Sequence, residues 1–208
     1  MGNPSSALTL GTRGVLTMRH GETIAFVHGS LTPASFLPLL KEKSLSIYQL
    51  LAIRRDGYSG ERRIHYHDIY EEARYCIRIL EELGIPKVHL VGHSYGGAIA
   101  LAMARDFAGV TTSLFLVEPA SVPDSKVGLL FRRKMLWATE AYEAGLYERG
   151  IGRFLTAVNG SQANFSGCRG LVEDSHVLFE REIPIFAELA IHGVRRSAHF
   201  VLCFRSGE

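Results

Sequence analysis

The sequence has few cysteines, and their spacing is not that of a metal or disulfide site. It contains Cys76, Cys168 and Cys203, and no two of them form a Cys-x-x-Cys pair. An odd number of widely spaced cysteines argues against a zinc site and against the disulfide framework of a small secreted protein. We therefore expect free thiols, a reducing and hence cytoplasmic compartment, and no bound metal.

Long apolar runs and a strong excess of one sign of charge are also missing. No apolar stretch is long enough to span a bilayer, and the first residues lack the charged-then-apolar design of a secretion signal. The formal net charge is only +2, which gives no reason to invoke nucleic acid or an anionic membrane. Basic pairs such as Arg54-Arg55 are interpreted as solvent-exposed faces. The expected partner is a small-molecule substrate, and the oligomeric state is left open.

The composition that remains is that of an ordinary globular protein. The 208 residues are 47% hydrophobic and 21% charged, which suffices for one domain with a full core and an inserted segment. Residues 1–13 are rich in Gly, Ser, Pro and Thr and are expected to be frayed. The rest of the chain alternates short apolar runs with stretches of helical periodicity.

The most informative stretch begins at Val88. A short apolar run, 88–91, leads into the sequence Gly-His-Ser-Tyr-Gly at 92–96, and an alanine-rich run with strong helix propensity follows. The pattern predicts a strand, a tight turn and a helix, with Ser94 at the apex. A glycine-serine turn in that position is often only structural. The strand before it and the helix after it favour a G-x-S-x-G nucleophile elbow instead.

The chemistry of a nucleophilic serine requires this shape. Its hydroxyl is a weak nucleophile that must stand clear of the sheet, where a base can reach it. The backbone at such a serine is strained, and Gly92, Gly96 and Gly97 remove side chains that would collide around it. The helix that starts after Ser94 also directs free N–H groups and the positive end of its dipole towards charge that develops there.

Four segments in this order resemble the first half of an α/β-hydrolase. They are Phe26-Val27-His28-Gly29, Arg55-Asp56-Gly57-Tyr58-Ser59, Gly92-His93-Ser94-Tyr95-Gly96-Gly97 and Leu116-Val117-Glu118-Pro119. The resemblance covers residues 23–119, about half of the chain. It implies that main-chain N–H groups of Ser30 and Tyr95 form an oxyanion hole, that His28 shapes the loop rather than acting in catalysis, and that no cofactor is needed.

The alternation of strands and helices predicts an α/β fold, a mostly parallel sheet flanked by helices. Sites on such sheets lie at the carboxyl ends of the strands, where His28, Ser94 and Glu118 are expected. Asp68, with Glu71 three residues later, predicts the start of a helix. The apolar periodicity that follows places Cys76 on the buried face of that helix, where core packing is a better interpretation than a reactive thiol.

After Pro119 the pattern becomes helical. Residues 125–158 are amphipathic, and the resemblance implies a helical cap inserted at this point; the alternative is an ordinary pair of sheet-covering helices. A further helical stretch, 171–189, is interrupted by Pro184. We therefore expect a hydrolase core half at 1–123, a helical cap at 124–190, and a core remnant or atypical tail at 191–208.

The second half of a catalytic triad is hard to find in this sequence. A complete α/β-hydrolase implies two more strands after the cap, but residues 191–208 offer one, at 200–204. We therefore expect that the last core strands are missing or replaced by a foreign tail. If a triad is complete, His199 is the preferred base, because Ala-His-Phe resembles the family's pattern, and His192 is second. The acid would be Glu118 or Asp174.

Two functions from different classes fit these observations. The first is a serine hydrolase that acts through Ser94 on a small apolar ester or a related acyl or carbon–carbon bond; a cofactor-free haloperoxidase-type relative would use the same serine. The second is a catalytically incomplete protein that keeps the fold as a ligand-binding or interaction module. A histidine and an acid near Ser94 would favour the first.

Overall fold

The chain divides into two compact units. One, which we call the α/β unit, comprises residues 1–120 and 191–208; the other, the helical unit, comprises residues 121–190. The computed structural model describes residues 7–17, 20–58, 68–120, 126–160, 169–186 and 199–203. All statements on structure below concern these residues.

The described part of the α/β unit contains one sheet of seven strands. They are β1 (Ala7–Thr9), β2 (Gly14–Thr17), β3 (Thr23–Val27), β4 (Gln49–Ile53), β5 (Val88–His93), β6 (Thr111–Val117) and β7 (His199–Cys203). Their spatial order is β1-β2-β4-β3-β5-β6-β7. The run from β4 to β7 is parallel, and β1 and β2 are antiparallel additions at one edge. The predicted fold class, a mostly parallel α/β sheet, is confirmed.

Two long helices flank this sheet, and the helical unit follows β6. In the described residues the α-helices are α1 (Ile69–Glu82), α2 (Tyr95–Asp106), α3 (Lys126–Glu143), α4 (Tyr147–Asn159), α5 (Arg169–Glu173), α6 (Ser175–Val177) and α7 (Ile183–Phe186). A π-helical turn, Leu178–Glu182, joins α6 to α7. Short 3₁₀ helices occur at Gly11–Arg13, Leu37–Lys41 and Lys43–Leu45. In the α/β unit, α2 packs on β5 and β6, and α1 packs on α2.

Continuous apolar strands form the core, as expected for parallel strands covered on both faces. Ala25 and Val27 of β3 and Leu50 and Leu51 of β4 are completely buried. In α1 the predicted N-cap is confirmed, because the Asp68 carboxylate accepts a hydrogen bond from the Glu71 N–H at 2.7 Å. The sequence pattern therefore located the central strands and the first helix correctly.

One local prediction was wrong. The segment expected to be frayed contains β1, which pairs with β2 in the register Ala7 to Thr17 and so gains ladder hydrogen bonds that its composition does not reveal. The connector between β3 and β4 contains the 3₁₀ helix Leu37–Lys41, with Pro38 near its start. Short connectors of this kind commonly adopt 3₁₀ geometry.

Candidate active site

Ser94 lies at a sharp turn between β5 and α2. Its φ of 51° and ψ of −122° lie in a region that costs a residue with a side chain on the order of 1–3 kcal/mol. The predicted strand, turn and helix with the serine at the apex are confirmed. The Ser94 side chain makes no capping hydrogen bond to α2, so its hydroxyl is not used to stabilise the helix.

Neighbouring backbone holds this strained turn on both sides. The Ser94 N–H donates to the carbonyl of Val117 at 3.0 Å, which ties the turn to the end of β6. The Ser94 carbonyl accepts from the N–H of Ala120 at 2.8 Å and from the N–H of Gly97 at 2.9 Å. Strain at a single residue persists only when its surroundings determine the conformation in this way.

The turn requires glycines because neighbouring backbone atoms lie very close to it. A Cβ on Gly96 would lie 2.3 Å from the carbonyl oxygens of both Val27 and His28, and a Cβ on Gly92 would lie 2.7 Å from the Gly97 Cα. These distances are far below van der Waals contact. The glycines predicted from the sequence thus let the turn pack directly against the end of β3.

The loop after β3 lies against Ser94. A Cβ on Gly29 would lie 3.0 Å from the Ser94 Cβ, and Leu31 adopts a left-handed φ of 59°. Ser30 is buried, and among the described residues neither its N–H nor its Oγ has a hydrogen-bond partner. The loop therefore brings a buried, unused N–H group into the neighbourhood of the serine.

His28 has a structural role in this loop. Its ring is 1% exposed, and its Nε2 accepts a hydrogen bond from the Arg55 N–H at 3.1 Å. Since Nε2 is the acceptor, the proton is on Nδ1, which donates to the Gly29 carbonyl at 2.8 Å. With both ring nitrogens engaged, His28 is unsuited to act as a base, as the sequence analysis expected.

Arg55 is buried, which corrects the interpretation of Arg54-Arg55 as a solvent-exposed pair. Its guanidinium forms a two-point contact with Glu72 of α1, Nε to Oε2 at 3.0 Å and Nη2 to Oε1 at 3.3 Å. Both residues are 1% exposed. The sequence held one signal of this pair, since Glu72 falls within the apolar face of α1, where a carboxylate needs a buried partner.

His93 and Glu118 interact at the carboxyl edge of the sheet. His93 is in register with Val117 across the β5–β6 pair, and Glu118 follows Val117 in the chain. Burial lowers the pKa of His93, and the nearby negative charge of Glu118 partly opposes that shift. Glu118 has a left-handed φ of 45°, so the backbone turns sharply where β6 ends. Glu118 therefore lies at the edge where the sequence analysis expected it.

Cys76 belongs to the core. It is 1% exposed on α1, and burial raises the pKa of its thiol to about 12. The thiolate is the reactive form of cysteine, and at neutral pH it is almost absent here. The predicted packing role of Cys76 is confirmed.

The backbone register does not bring His199 to Ser94. β7 begins at His199, which is aligned with Ser113 of β6, and Ser113 is aligned with His89 of β5. Ser94 lies five residues beyond His89, roughly 16 Å along the strand direction at about 3.3 Å per residue. His199 thus starts its strand at the amino edge, whereas the expected base would follow a strand at the carboxyl edge.

The remaining candidates of the sequence analysis lie elsewhere. His192 falls outside the described residues. Asp174 occupies the N-cap position before α6 in the helical unit, without a side-chain capping hydrogen bond. Among the described residues there is no group of three or more His, Cys, Asp or Glu side chains that could hold a metal ion. No helix there combines the length and apolarity needed to cross a bilayer.

Comparison with known proteins places this geometry in a family. Residues 24–198 match the model of the alpha/beta hydrolase family. The chain belongs to this family. The matched segment includes the loop after β3, the serine turn and the helical unit, so the family resemblance extends beyond the first half of the chain that the sequence motifs indicated.

Curated members of the family are similar to parts of the chain. A probable lysophospholipase from Arabidopsis thaliana, BODYGUARD 1, is 29% identical over 140 residues, 60% of this chain and 30% of the relative. An uncharacterized hydrolase from Bacillus subtilis, YugF, is 37% identical over 89 residues, 40% of this chain and 31% of the relative. A putative carbamate hydrolase from Variovorax paradoxus, RutD, is 34% identical over 67 residues, 32% of this chain and 25% of the relative. The chain thus spans between a quarter and a third of the length of these hydrolases.

Solved structures share the fold at low identity. A mutant of the haloalkane dehalogenase DatA from Agrobacterium tumefaciens superposes with a TM-score of 0.63 at 17% identity, covering 91% of this chain and 74% of that protein. The epoxide hydrolase CorEH gives a TM-score of 0.58 at 19% identity, covering 84% of this chain and 67% of that protein. At these identities the likeness establishes the α/β-hydrolase fold alone.

Proposed function

We propose that this chain is a serine hydrolase and that Ser94 is its nucleophile. The observation that carries the proposal is the strained conformation of Ser94 between β5 and α2, with φ of 51° and ψ of −122°. The neighbouring chain segments hold that conformation, and the Ser94 hydroxyl does not cap α2. A strained, non-glycine residue at the start of a helix is a common feature of reactive sites.

The proposed reaction uses Ser94, two main-chain N–H groups and a histidine. The Ser94 Oγ attacks the carbonyl carbon of a small, fairly apolar ester, and its proton passes to a histidine. The N–H groups of Ser30 and Tyr95 bind the resulting oxyanion. The histidine then protonates the leaving alcohol as the C–O bond breaks, and water hydrolyses the acyl-serine to release the acid. Related acyl or carbon–carbon bonds are open to the same nucleophile.

The register of β7 changes the choice of base. The sequence analysis preferred His199, but the start of β7 is at the wrong end of the sheet for that role. By elimination we assign the base to His192, the second candidate of the sequence analysis, which lies outside the described residues. Glu118 is the preferred acid, because it directly follows β6 in the α/β unit that also contains Ser94.

The substrate class and the role of the helical unit are part of the same proposal. Relatives named a lysophospholipase and a carbamate hydrolase support a substrate with a carbonyl group. The helical unit, residues 121–190, is assigned as the cap that selects the substrate. The cytoplasmic location inferred from the cysteine content remains a prediction.

A non-catalytic role is the second candidate, and one observation favours it. The histidine with the family-like flank, His199, begins its strand at the amino edge of the sheet. If no other histidine serves Ser94, the chain keeps the fold as a ligand-binding or interaction module. The serine turn would then bind a carbonyl compound without cleaving it.

Turnover of a chromogenic short-chain ester separates the two candidates. The serine hydrolase proposal predicts that p-nitrophenyl butyrate is hydrolysed by the wild-type protein and that Ser94→Ala lowers kcat by several orders of magnitude. Ser44→Ala, which removes an exposed hydroxyl in the 3₁₀ helix Lys43–Leu45, is the matched control and retains activity. Equal rates for wild type and Ser94→Ala would favour the non-catalytic module.

A further inference from the structure

We propose that Arg55 is a positioning residue that couples the two halves of the oxyanion hole and that Glu72 holds it in place. This inference rests on the proposed function, because the oxyanion hole is the one assigned above to the N–H groups of Ser30 and Tyr95. Arg55 itself touches neither substrate nor Ser94 in this scheme. It acts through the residues that carry the two N–H donors.

One half of the hole is the loop after β3, and Arg55 contacts it at two points. The Arg55 Nη1 donates to the His28 carbonyl at 3.4 Å, and the Arg55 backbone N–H donates to the His28 Nε2 at 3.1 Å. His28 lies two residues before Ser30. Because the ring of His28 is fixed in turn to the Gly29 carbonyl, the position of Arg55 is transmitted directly to the backbone that presents the Ser30 N–H.

The other half is the start of α2, and the same guanidinium contacts it. The Arg55 Cζ lies 4.6 Å from the centre of the Tyr95 ring, which is completely buried. Tyr95 directly follows Ser94 and supplies the second N–H donor. A guanidinium stacked on an aromatic face is attracted to it, and more strongly when both groups are out of water.

Tyr58 adds a second link between Arg55 and the loop. Its ring centre lies 5.1 Å from the Arg55 Cζ, and its hydroxyl accepts a hydrogen bond from the Leu31 N–H at 3.0 Å. The ring also packs edge-on against His28, with 4.8 Å between ring centres. Ser30 is therefore held between two residues, His28 and Leu31, and both of them depend on the cluster around Arg55.

Glu72 explains how a buried cation keeps one orientation. Its carboxylate binds the guanidinium through two contacts, of 3.0 and 3.3 Å, and two-point binding adds geometric specificity to the pair. A buried ion pair is a poor source of net stability, because desolvation offsets most of the attraction. Precise placement is a better account of this pair, since oxyanion donors act only when they are aimed within a few tenths of an ångström.

The test compares Arg55→Met with Arg54→Met, which removes the neighbouring positive charge outside the cluster. We expect Arg55→Met to lower kcat for p-nitrophenyl butyrate roughly 10- to 100-fold with KM changed less than about threefold, because a misplaced donor affects the transition state most. Hydrogen exchange should accelerate at the amides of Leu31 and position 55, which donate to the Tyr58 hydroxyl and the His28 Nε2, relative to the rest of β3 and α2. Arg54→Met should leave both measurements at wild-type values.

Two further variants keep the proposal testable if Arg55→Met does not fold. Arg55→Lys keeps the buried charge but not the forked donor, and Glu72→Gln keeps the shape of the partner; each should lower kcat with little change in KM. Wild-type values of kcat and exchange in these variants would overturn the proposal, as would faster exchange spread evenly over the whole α/β unit. Absence of Ser94-dependent turnover in the wild type would refute the proposed function, while the exchange comparison would still decide the role of Arg55.

Discussion

At the scale of single residues, charges at the carboxyl edge of the sheet influence one another. His93 directly precedes the serine, and its imidazole is partly buried, so the cationic form is disfavoured and its pKa is lowered. Glu118, at the end of the neighbouring strand, favours the cation and opposes this shift. A change at Glu118 should therefore be detected at His93.

We predict that Glu118→Gln lowers the pKa of His93 further, because the opposing negative charge is removed. Below about pH 6.5, His93 then binds a proton in the unfolded chain but not in the folded chain. The free energy of unfolding therefore falls as the pH decreases through this window. Titration of the His93 ring protons by NMR measures the shift. Glu22→Gln, next to His89, is the control and should leave His93 unchanged; an unchanged His93 pKa in Glu118→Gln would contradict the assignment.

At the scale of elements, the turn from β5 to α2 depends on glycines that no other residue can replace. A side chain on Gly96 would collide with the carbonyl oxygens of Val27 and His28, which would have to move together with the loop that carries Ser30. By contrast, a Cβ on Gly109 meets nothing within 4 Å. The two glycines form a matched pair for testing the turn.

We predict that Gly96→Ala lowers the free energy of unfolding by about 1–3 kcal/mol, the usual penalty for overpacking. It should also reduce any Ser94-dependent turnover, because the loop after β3 is displaced. Gly109→Ala should leave the free energy of unfolding within about 0.5 kcal/mol of the wild-type value. Urea denaturation measures both, and equal stability of the two variants would show that the turn tolerates a side chain.

The first helix offers a second test at this scale. The Asp68 carboxylate accepts the Glu71 N–H at 2.7 Å, so Asp68→Ala should lower the free energy of unfolding by about 1 kcal/mol. Asp68→Asn keeps a capping oxygen and should lose much less. Thermal unfolding followed by circular dichroism distinguishes the two variants, and an equal loss in both would assign the effect to charge rather than to capping.

How much the sequence could predict depends on how far apart in the chain the interacting residues are. The serine turn, the capped helix and the central strands are specified by neighbouring residues, and each was located in advance. The Arg55–Glu72 pair joins two residues 17 positions apart in the chain, one just after β4 and one in α1, and a basic pair next to a turn looks solvent-exposed in the sequence. His199 was chosen by its flanking residues, but its position depends on a strand register that those residues do not determine.

At the scale of the whole molecule, the register of β7 argues against His199 as the base for Ser94. β7 runs parallel to β6 and starts at His199, so its last residue, Cys203, and not its first lies at the carboxyl edge. His192, the second candidate, lies outside the described residues, so this register does not exclude it. The two candidates lead to a prediction about which histidine acts as the base.

We predict that His192→Ala lowers kcat for a chromogenic ester by at least about 100-fold, the usual contribution of a general base. His199→Ala should retain kcat within about threefold of wild type. Both variants should be compared after their thermal unfolding has confirmed a folded state. A large loss in His199→Ala with full activity in His192→Ala would reverse the assignment and contradict the register of β7.

The most direct test of the account is the site of covalent modification by a fluorophosphonate. The protein is incubated with the probe, digested, and mapped by mass spectrometry, with Ser94→Ala treated in parallel. The account predicts one phosphonylated peptide, containing residues 92–97 and modified at Ser94, that is absent from the variant. Modification of another residue, or equal labelling of the wild type and Ser94→Ala, would contradict the claim that Ser94 is the nucleophile.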